Sequence, residues 1–193
     1  TNHRVYGEAM AILAGDGLLN MAYETMLAAP LTQKAPERAL PAIREIAERA
    51  GVRGMVAGQV LDTLYGIQTE EQLKAMYRLK TGVMISAAAE LGCVASGMPA
   101  AMRQQAIAFA DKLGLAFQIR DDMLDVVGDE QVFGKPIGSD REEGKTTFVD
   151  ILGLNGCQRV IEAHSESAVE ALGDMADTDF LIHLVRVLEK REQ

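Results

Sequence analysis

Three carboxylates fall within five residues, at Asp121, Asp122 and Asp125, in the stretch Phe117-Gln118-Ile119-Arg120-Asp121-Asp122-Met123-Leu124-Asp125. In a helix each residue turns by about 100°, so with Asp121 at zero, Asp125 falls at about 40°, Gln118 at about 60° and Asp122 at about 100°. All four polar groups then point to one side, while Leu113, Phe117 and Leu124 lie on the neighbouring face and can pack inward. Ionised carboxylates this close repel each other unless one is protonated or a cation sits among them. Gly128 ends the pattern three residues after Asp125, and the last carbonyls of a helix carry the negative end of its dipole, which favours a cation. Oxygen donors of this kind suit Mg²⁺ (or Mn²⁺) better than zinc, and Mg²⁺ commonly bridges one or two carboxylates to substrate phosphates. A bare D-D-x-x-D is more often a solvated helix end. Gln118, Gly128 and two downstream lysines favour the metal here. An EF-hand is excluded, because its ligands alternate along a loop rather than stepping along a helix.

The lysines are Lys135, in Phe133-Gly134-Lys135-Pro136, and Lys145, in Glu143-Gly144-Lys145-Thr146-Thr147. Glycines around both allow the loop to fold back over the helix end, and an ammonium is a compact charge suited to a diphosphate. Gly144-Lys145-Thr146 is not a P-loop, since the earlier glycine is missing from its position and no strand precedes it. A third lysine, in Lys80-Thr81-Gly82, lies mid-helix among Met76, Leu79, Val83 and Met84. A lysine there either snorkels or meets an anion, and Gly82 thins the helix where a substrate chain could pass.

Helices must position these groups. Apolar residues at helical spacing predict helices over about 7–27, 37–50, a segment ending near Leu64, 70–96, 100–127, 156–172 and 178–190. The segment 30–36, bounded by prolines, reads as a loop. Thr69-Glu70-Glu71-Gln72 fits a capping box. Gly97 followed by Pro99 is a stop and a start signal. Gly7, Gly15 and Gly17 lie in the first helix, where each costs roughly 1 kcal/mol against Ala, so close approach of a neighbour is expected. No alternating strand pattern occurs, and short polar loops favour one all-α domain over residues 1–193 with antiparallel neighbours.

Composition agrees: 48% of the 193 residues are hydrophobic, only 5% aromatic, and there is no Trp. A net charge of −9 excludes a basic-patch function on nucleic acid or anionic membranes. Cys93 and Cys157 lie in apolar surroundings without a C-x-x-C pattern, so reduced, buried thiols and a cytoplasmic setting are expected. The longest uncharged stretch, Leu91 to Met102, is broken by Gly97 and Pro99, so no membrane span is expected, and no signal peptide is evident. The chain starts at Thr1 rather than Met, which reads as processing, truncation or an incomplete record.

Taken together, Gly7-Glu8-Ala9 through Gly15-Asp16, Gly58-Gln59-x-x-Asp62, Lys80-Thr81-Gly82, Phe117-Gln118 with Asp121-Asp122-x-x-Asp125, and Gly134-Lys135 with Gly144-Lys145 resemble the trans-isoprenyl diphosphate synthases, or polyprenyl synthetases, in order and over nearly the whole chain. Short-chain bacterial farnesyl diphosphate synthases are the nearest likeness. The resemblance implies an all-α, isoprenoid-synthase-type helical bundle around a central cavity, usually in a homodimer. It implies a Mg²⁺-dependent condensation of an allylic diphosphate with isopentenyl diphosphate. By it, Asp121, Asp122 and Asp125 hold Mg²⁺ on the allylic diphosphate, while Lys80, Lys135 and Lys145 contact that diphosphate. Thr81 and Gln118 lie near the allylic carbon and help stabilise its cation, and the departing pyrophosphate takes the final proton.

The chain corresponds to the C-terminal two thirds of such a domain. The family's first aspartate-rich motif and its basic residues for isopentenyl diphosphate normally precede this segment, and Thr1-Asn2-His3 reads as the tail of that region. Two other readings stand beside the prenyltransferase: a non-catalytic subunit of a prenyl synthase, and another class I terpenoid enzyme that ionises an allylic diphosphate without isopentenyl diphosphate.

Overall fold

A computed structural model describes residues 2–64, 66–127 and 145–191, so Lys135 and the helix-ending Gly128 lie outside the described residues. Every described regular element is helical. The chain forms two compact units, Thr1–Glu45 and Ile46–Gln193.

The first unit contains α1 (Asn2–Tyr6), α2 (Glu8–Ala28), α3 (Pro30–Lys34) and most of α4 (Pro36–Ala50). The segment expected to be a loop instead forms the short helix α3. Pro30 occupies its first turn, where a missing N–H costs nothing. The corner is closed by side chains that satisfy the orphan carbonyls at the end of α2: Thr32 Oγ1 donates to Met26 O (2.7 Å) and Gln33 Nε2 to Leu27 O (3.1 Å). No residue of α2 is buried. Its apolar side chains, among them Ile12, Leu13, Leu18 and Met21, recur around the whole helix and are more than half exposed. The close approach expected at Gly15 and Gly17 is not found. Among the described residues, nothing lies within 4 Å of a Cβ built at either. Apolar residues spread around a helix do not define one stripe for a single neighbour to cover.

The second unit holds the end of α4, α5 (Met55–Leu64), α6 (Glu70–Tyr77), a π-helical turn (Arg78–Gly82), α7 (Val83–Ser96), α8 (Ala100–Val127), α9 (Phe148–Ala171) and α10 (Asp179–Glu189). The capping box forms as expected: Gln72 N donates to Thr69 Oγ1 (3.3 Å) and Thr69 N to Gln72 Oε1 (3.2 Å). From there α6, the π turn and α7 run on as one helix, Glu70–Ser96, which ends at Gly97 with φ +74°. By length and composition this helix could cross a membrane. Leu73, Met76, Tyr77, Ala87 and Cys93 of this helix are buried against the protein, while most of its other residues are partly or fully exposed.

α8 is the central element, with α7 and α9 packed against it. Leu73, Met76 and Tyr77 meet Ile119, Met123, Phe148 and Ile161 in one core cluster, while Phe109, Leu113, Leu172 and Val185 join α8, α9 and α10 in a second. α9 starts eight residues before the expected Gly156. Its first turn is interrupted at Gly153 (φ +65°, ψ 167°), a conformation that glycine reaches without strain. The start signal is Thr147-x-x-Asp150: Asp150 Oδ2 accepts from both Thr147 N and Thr147 Oγ1, each at 2.9 Å.

Candidate active site

The π turn Arg78–Gly82 places Lys80 and Thr81. A π turn carries one residue more than an α-helix accommodates, and it persists where packing holds it. Two glycines do that here. A Cβ on Gly58 of α5 would lie 2.2 Å from Lys80 N and 2.5 Å from Lys80 Cα. One on Gly114 of α8 would lie 3.2 Å from Gly82 Cα. The turn is therefore clamped between two helices that touch its backbone. Gly82 is itself buried, and it is the side chain missing from Gly114 that lets α8 approach it; among the described residues a Cβ on Gly82 would meet only Tyr77 O at 3.7 Å and Arg78 Cγ at 3.9 Å.

Lys80 reaches back to α5, where its Nζ lies 2.8 Å from Asp62 Oδ2. Lys145, just before α9, meets the same oxygen at 3.2 Å. The Asp62 side chain is only 5% exposed. Burial pushes its carboxyl up, but hydrogen bonds and charge from Lys80, and then from Lys145, outweigh burial and hold it below the usual carboxylate range. On the next residue, Thr81 Oγ1 donates to Gln118 Oε1 of α8 at 2.9 Å. Two of the three lysines expected at a diphosphate, and the Thr81–Gln118 pair, are thus brought together.

Two cavities open along α5. One, of about 520 Å³, is lined by Gln59, Asp62, Gln68, Met76, Lys145 and Thr146. The other, of about 530 Å³, is more apolar, with Met55, Val56, Val60 and Leu64 beside Lys80 and Thr81.

The acidic end of α8 differs from the single arc expected. Asp122 is 2% exposed and faces the core. It accepts from Tyr77 Oη at 2.9 and 2.7 Å through its two oxygens, and from Phe148 N at 3.0 Å. The Tyr77 and Phe148 rings stack in a tilted pair with centroids 5.6 Å apart. Asp122 therefore ties α6 to the start of α9, and these hydrogen bonds occupy the oxygens expected to ligate metal. Cys157 lies nearby, and burial, reinforced by the Asp122 charge, pushes its thiol up to about 11. Both cysteines are free and buried.

Asp121 and Asp125 lie one turn apart at the C-terminal end of α8, and Asp125, like Asp122, is buried, at 3% exposure. Asp121 is partly open, with its side chain 30% exposed, and its Oδ1 meets the Arg191 guanidinium. Among the described residues no three His, Cys, Asp or Glu side chains gather as a complete metal cage. Two carboxylates fit a hard cation that completes its shell with water and phosphate oxygens. They do not suit a structural zinc, which takes four protein ligands.

Asp62 stood out in the sequence only through its place in Gly58-Gln59-x-x-Asp62. Tyr77 and Arg191 carried no signal of a role. Each reaches the site from far along the chain, Tyr77 across 45 residues to Asp122 and Arg191 across 70 to Asp121.

The chain is similar to known proteins over nearly its whole length. The chain is 42% identical over 185 residues to the farnesyl diphosphate synthase of Geobacillus stearothermophilus, covering 93% of this chain and 61% of that one. It is 32% identical over 195 residues to the Bacillus subtilis farnesyl diphosphate synthase, covering 100% and 66%. The chain thus spans less than two thirds of the length of these relatives. A structure of geranyltransferase from Helicobacter pylori, complexed with magnesium and isoprenyl diphosphate, superposes with a TM-score of 0.82 at 30% identity, covering 97% of this chain and 62% of that one. The family model described as polyprenyl synthetase matches residues 1–178. On sequence and fold alike, the chain belongs to the polyprenyl synthetase family.

Proposed function

We propose that this chain supplies the allylic-diphosphate half of a prenyltransferase, which condenses dimethylallyl or geranyl diphosphate with isopentenyl diphosphate and releases diphosphate. A short-chain product, farnesyl diphosphate, fits the identity to two farnesyl diphosphate synthases. The observation that carries the reading is the convergence of Lys80 and Lys145 on buried Asp62, beside the Thr81–Gln118 pair and two cavities.

Breaking an allylic C–O bond heterolytically leaves a diphosphate whose growing charge must be met by fixed positive groups. Asp62 fixes two of them. An ammonium has three donors, so Lys80, oriented by its bond to Asp62, has the geometry to offer another to a phosphate oxygen. Lys135 is assigned to the same anion from its motif alone. Thr81 and Gln118 present oxygens toward the carbon end of the same region, where oxygen dipoles stabilise an allylic cation. The apolar cavity along α5 suits the hydrocarbon, and an allylic cation formed there would need water kept away.

Asp121 and Asp125 are the residues that would hold Mg²⁺, with Mn²⁺ as a substitute, while Asp122 would fix the helix end that carries them. When bound, the metal would supply Lewis-acid neutralisation of the leaving diphosphate. The exposed apolar side chains of α2 suit burial against a second copy in a homodimer, and the free, buried thiols suit a cytoplasmic setting.

The test is product analysis of the intact protein with Mg²⁺ and both substrates. Farnesyl diphosphate and one diphosphate per condensation are expected, and turnover of the allylic diphosphate without chain extension would overturn the reading. In Asp121→Asn, turnover should fall by about 10²–10³, the loss typical of removing one charge-stabilising group, with helical content by circular dichroism unchanged.

A further inference from the structure

Arg191 follows α10 and lies 70 residues from the carboxylate it meets. Three contacts seat it. Its guanidinium is on Asp121 Oδ1. Its Cζ stands 4.6 Å from the centroid of the Phe117 ring, one turn earlier on α8. Its backbone carbonyl accepts from Arg120 Nε at 2.7 Å. The side chain is only 23% exposed. The seat is not ideal for a cation, because its buried Nε has no partner among the described residues.

The geometry points to Arg191 as a displaceable counter-cation of the metal site: it holds Asp121 while no metal is bound and releases that carboxylate when Mg²⁺ binds. This rests on the assignment of Asp121 as a metal-binding residue. A guanidinium and a divalent ion on one carboxylate repel each other, so the two occupants are negatively linked. Linkage is reciprocal, so whatever Arg191 takes from metal affinity, the metal takes from the anchoring of Arg191. Asp62 shows the alternative arrangement, in which two lysines share one carboxylate oxygen. Arg191 instead stacks on an aromatic face, a geometry that a planar guanidinium favours and that, among the described residues, directs it at Asp121. Asp121 is thereby held in place before metal arrives, at the cost of weaker metal binding.

The experiment is a Mn²⁺ titration of the full chain, followed by the free-ion EPR signal, with Asp121→Asn defining the component due to this site. Arg191→Gln should bind that component about fivefold more tightly than the parent, the low end of usual coupling. Arg186→Gln, the same charge change at an exposed position on α10, should match the parent and so controls for net charge. Unchanged or weaker binding in Arg191→Gln, or equal tightening in Arg186→Gln, overturns the proposal. Should Arg191→Gln fail to fold by circular dichroism, Phe117→Leu decides on the same criterion, since it keeps both charges and removes only the stack. As the reciprocal readout, Mg²⁺ should speed amide exchange over residues 189–191 in the parent, and no change would count equally against release. If Asp121→Asn binds Mn²⁺ like the parent, the metal assignment itself fails. If it loses the site while Arg191→Gln is unaffected, only the counter-cation role fails.

Discussion

Two carboxylates in this chain are each met by cations, and they are built for different purposes. Asp62 is 5% exposed and holds Lys80 and Lys145 on one oxygen. Behind Lys80, the glycine-clamped π turn fixes the backbone so that the ammonium has one place to go. Asp121 is 30% exposed and is held by a single arginine from a segment outside the main core. Under the proposed function, the first arrangement would set charge permanently where an anion is to be met, and the second would hold a carboxylate ready for an exchangeable partner. A site that binds both a diphosphate and its metal needs one of each. Rigid lysines cost no reorganisation when charge develops, whereas a metal site has to open and close.

The contrast breaks most sharply at Gly58. An alanine there places a methyl against the Lys80 backbone, where no side-chain rotation can relieve it. Gly58→Ala should cost about 3 kcal/mol, near the upper end for overpacking, seen as a lower urea midpoint. Lys80 should lose its place with it, so affinity for an allylic diphosphate should fall, while Mn²⁺ binding at Asp121 should hold among the molecules that remain folded. Equal loss at both sites would mean that the two regions are one mechanical unit. Asp122→Ala tests the boundary between them. It strips acceptors from the Tyr77 hydroxyl and the Phe148 N–H, and buried donors left without partners should destabilise by about 2 kcal/mol. Thermal unfolding would show that loss. If Asp122→Ala abolished metal binding without changing stability, its assignment as a tie between α6 and α9 would be wrong.

How far the sequence carried this picture depends on the range of the interactions. The capping box at Thr69 and Gln72 closes within three residues, so composition alone placed it. The shared face of Asp121 and Asp125 follows from helical geometry. Asp122, about 100° from Asp121, lay at the edge of that arc. Which side it took was decided by Tyr77 and Phe148, 45 and 26 residues away. The π turn was hidden for the same reason. Lys80-Thr81-Gly82 reads as ordinary helix until Gly58 and Gly114 press on it from two neighbours. The break in α9 is a different case, because the Thr147-x-x-Asp150 start was present in the sequence while the glycine pattern after it drew the helix start too late.

The smallest effect separates the two carboxylates by pH. Asp62 has a folded value held below the ordinary one by Lys80 and Lys145. The folded chain therefore binds this proton less readily than the unfolded chain. Its contribution to stability is complete above the usual carboxylate range, about pH 4, and is lost as pH falls through the lower folded value. Asp62→Asn removes that contribution at neutral pH and has nothing further to lose in acid. The stability gap between parent and variant, measured by urea unfolding, should be widest near pH 7 and narrow steadily below about pH 4. A gap that stayed constant across that range would mean the two lysines do not stabilise the ionised form. The clasp would then owe its place to packing, and the distinction from Asp121 would rest on the π turn alone.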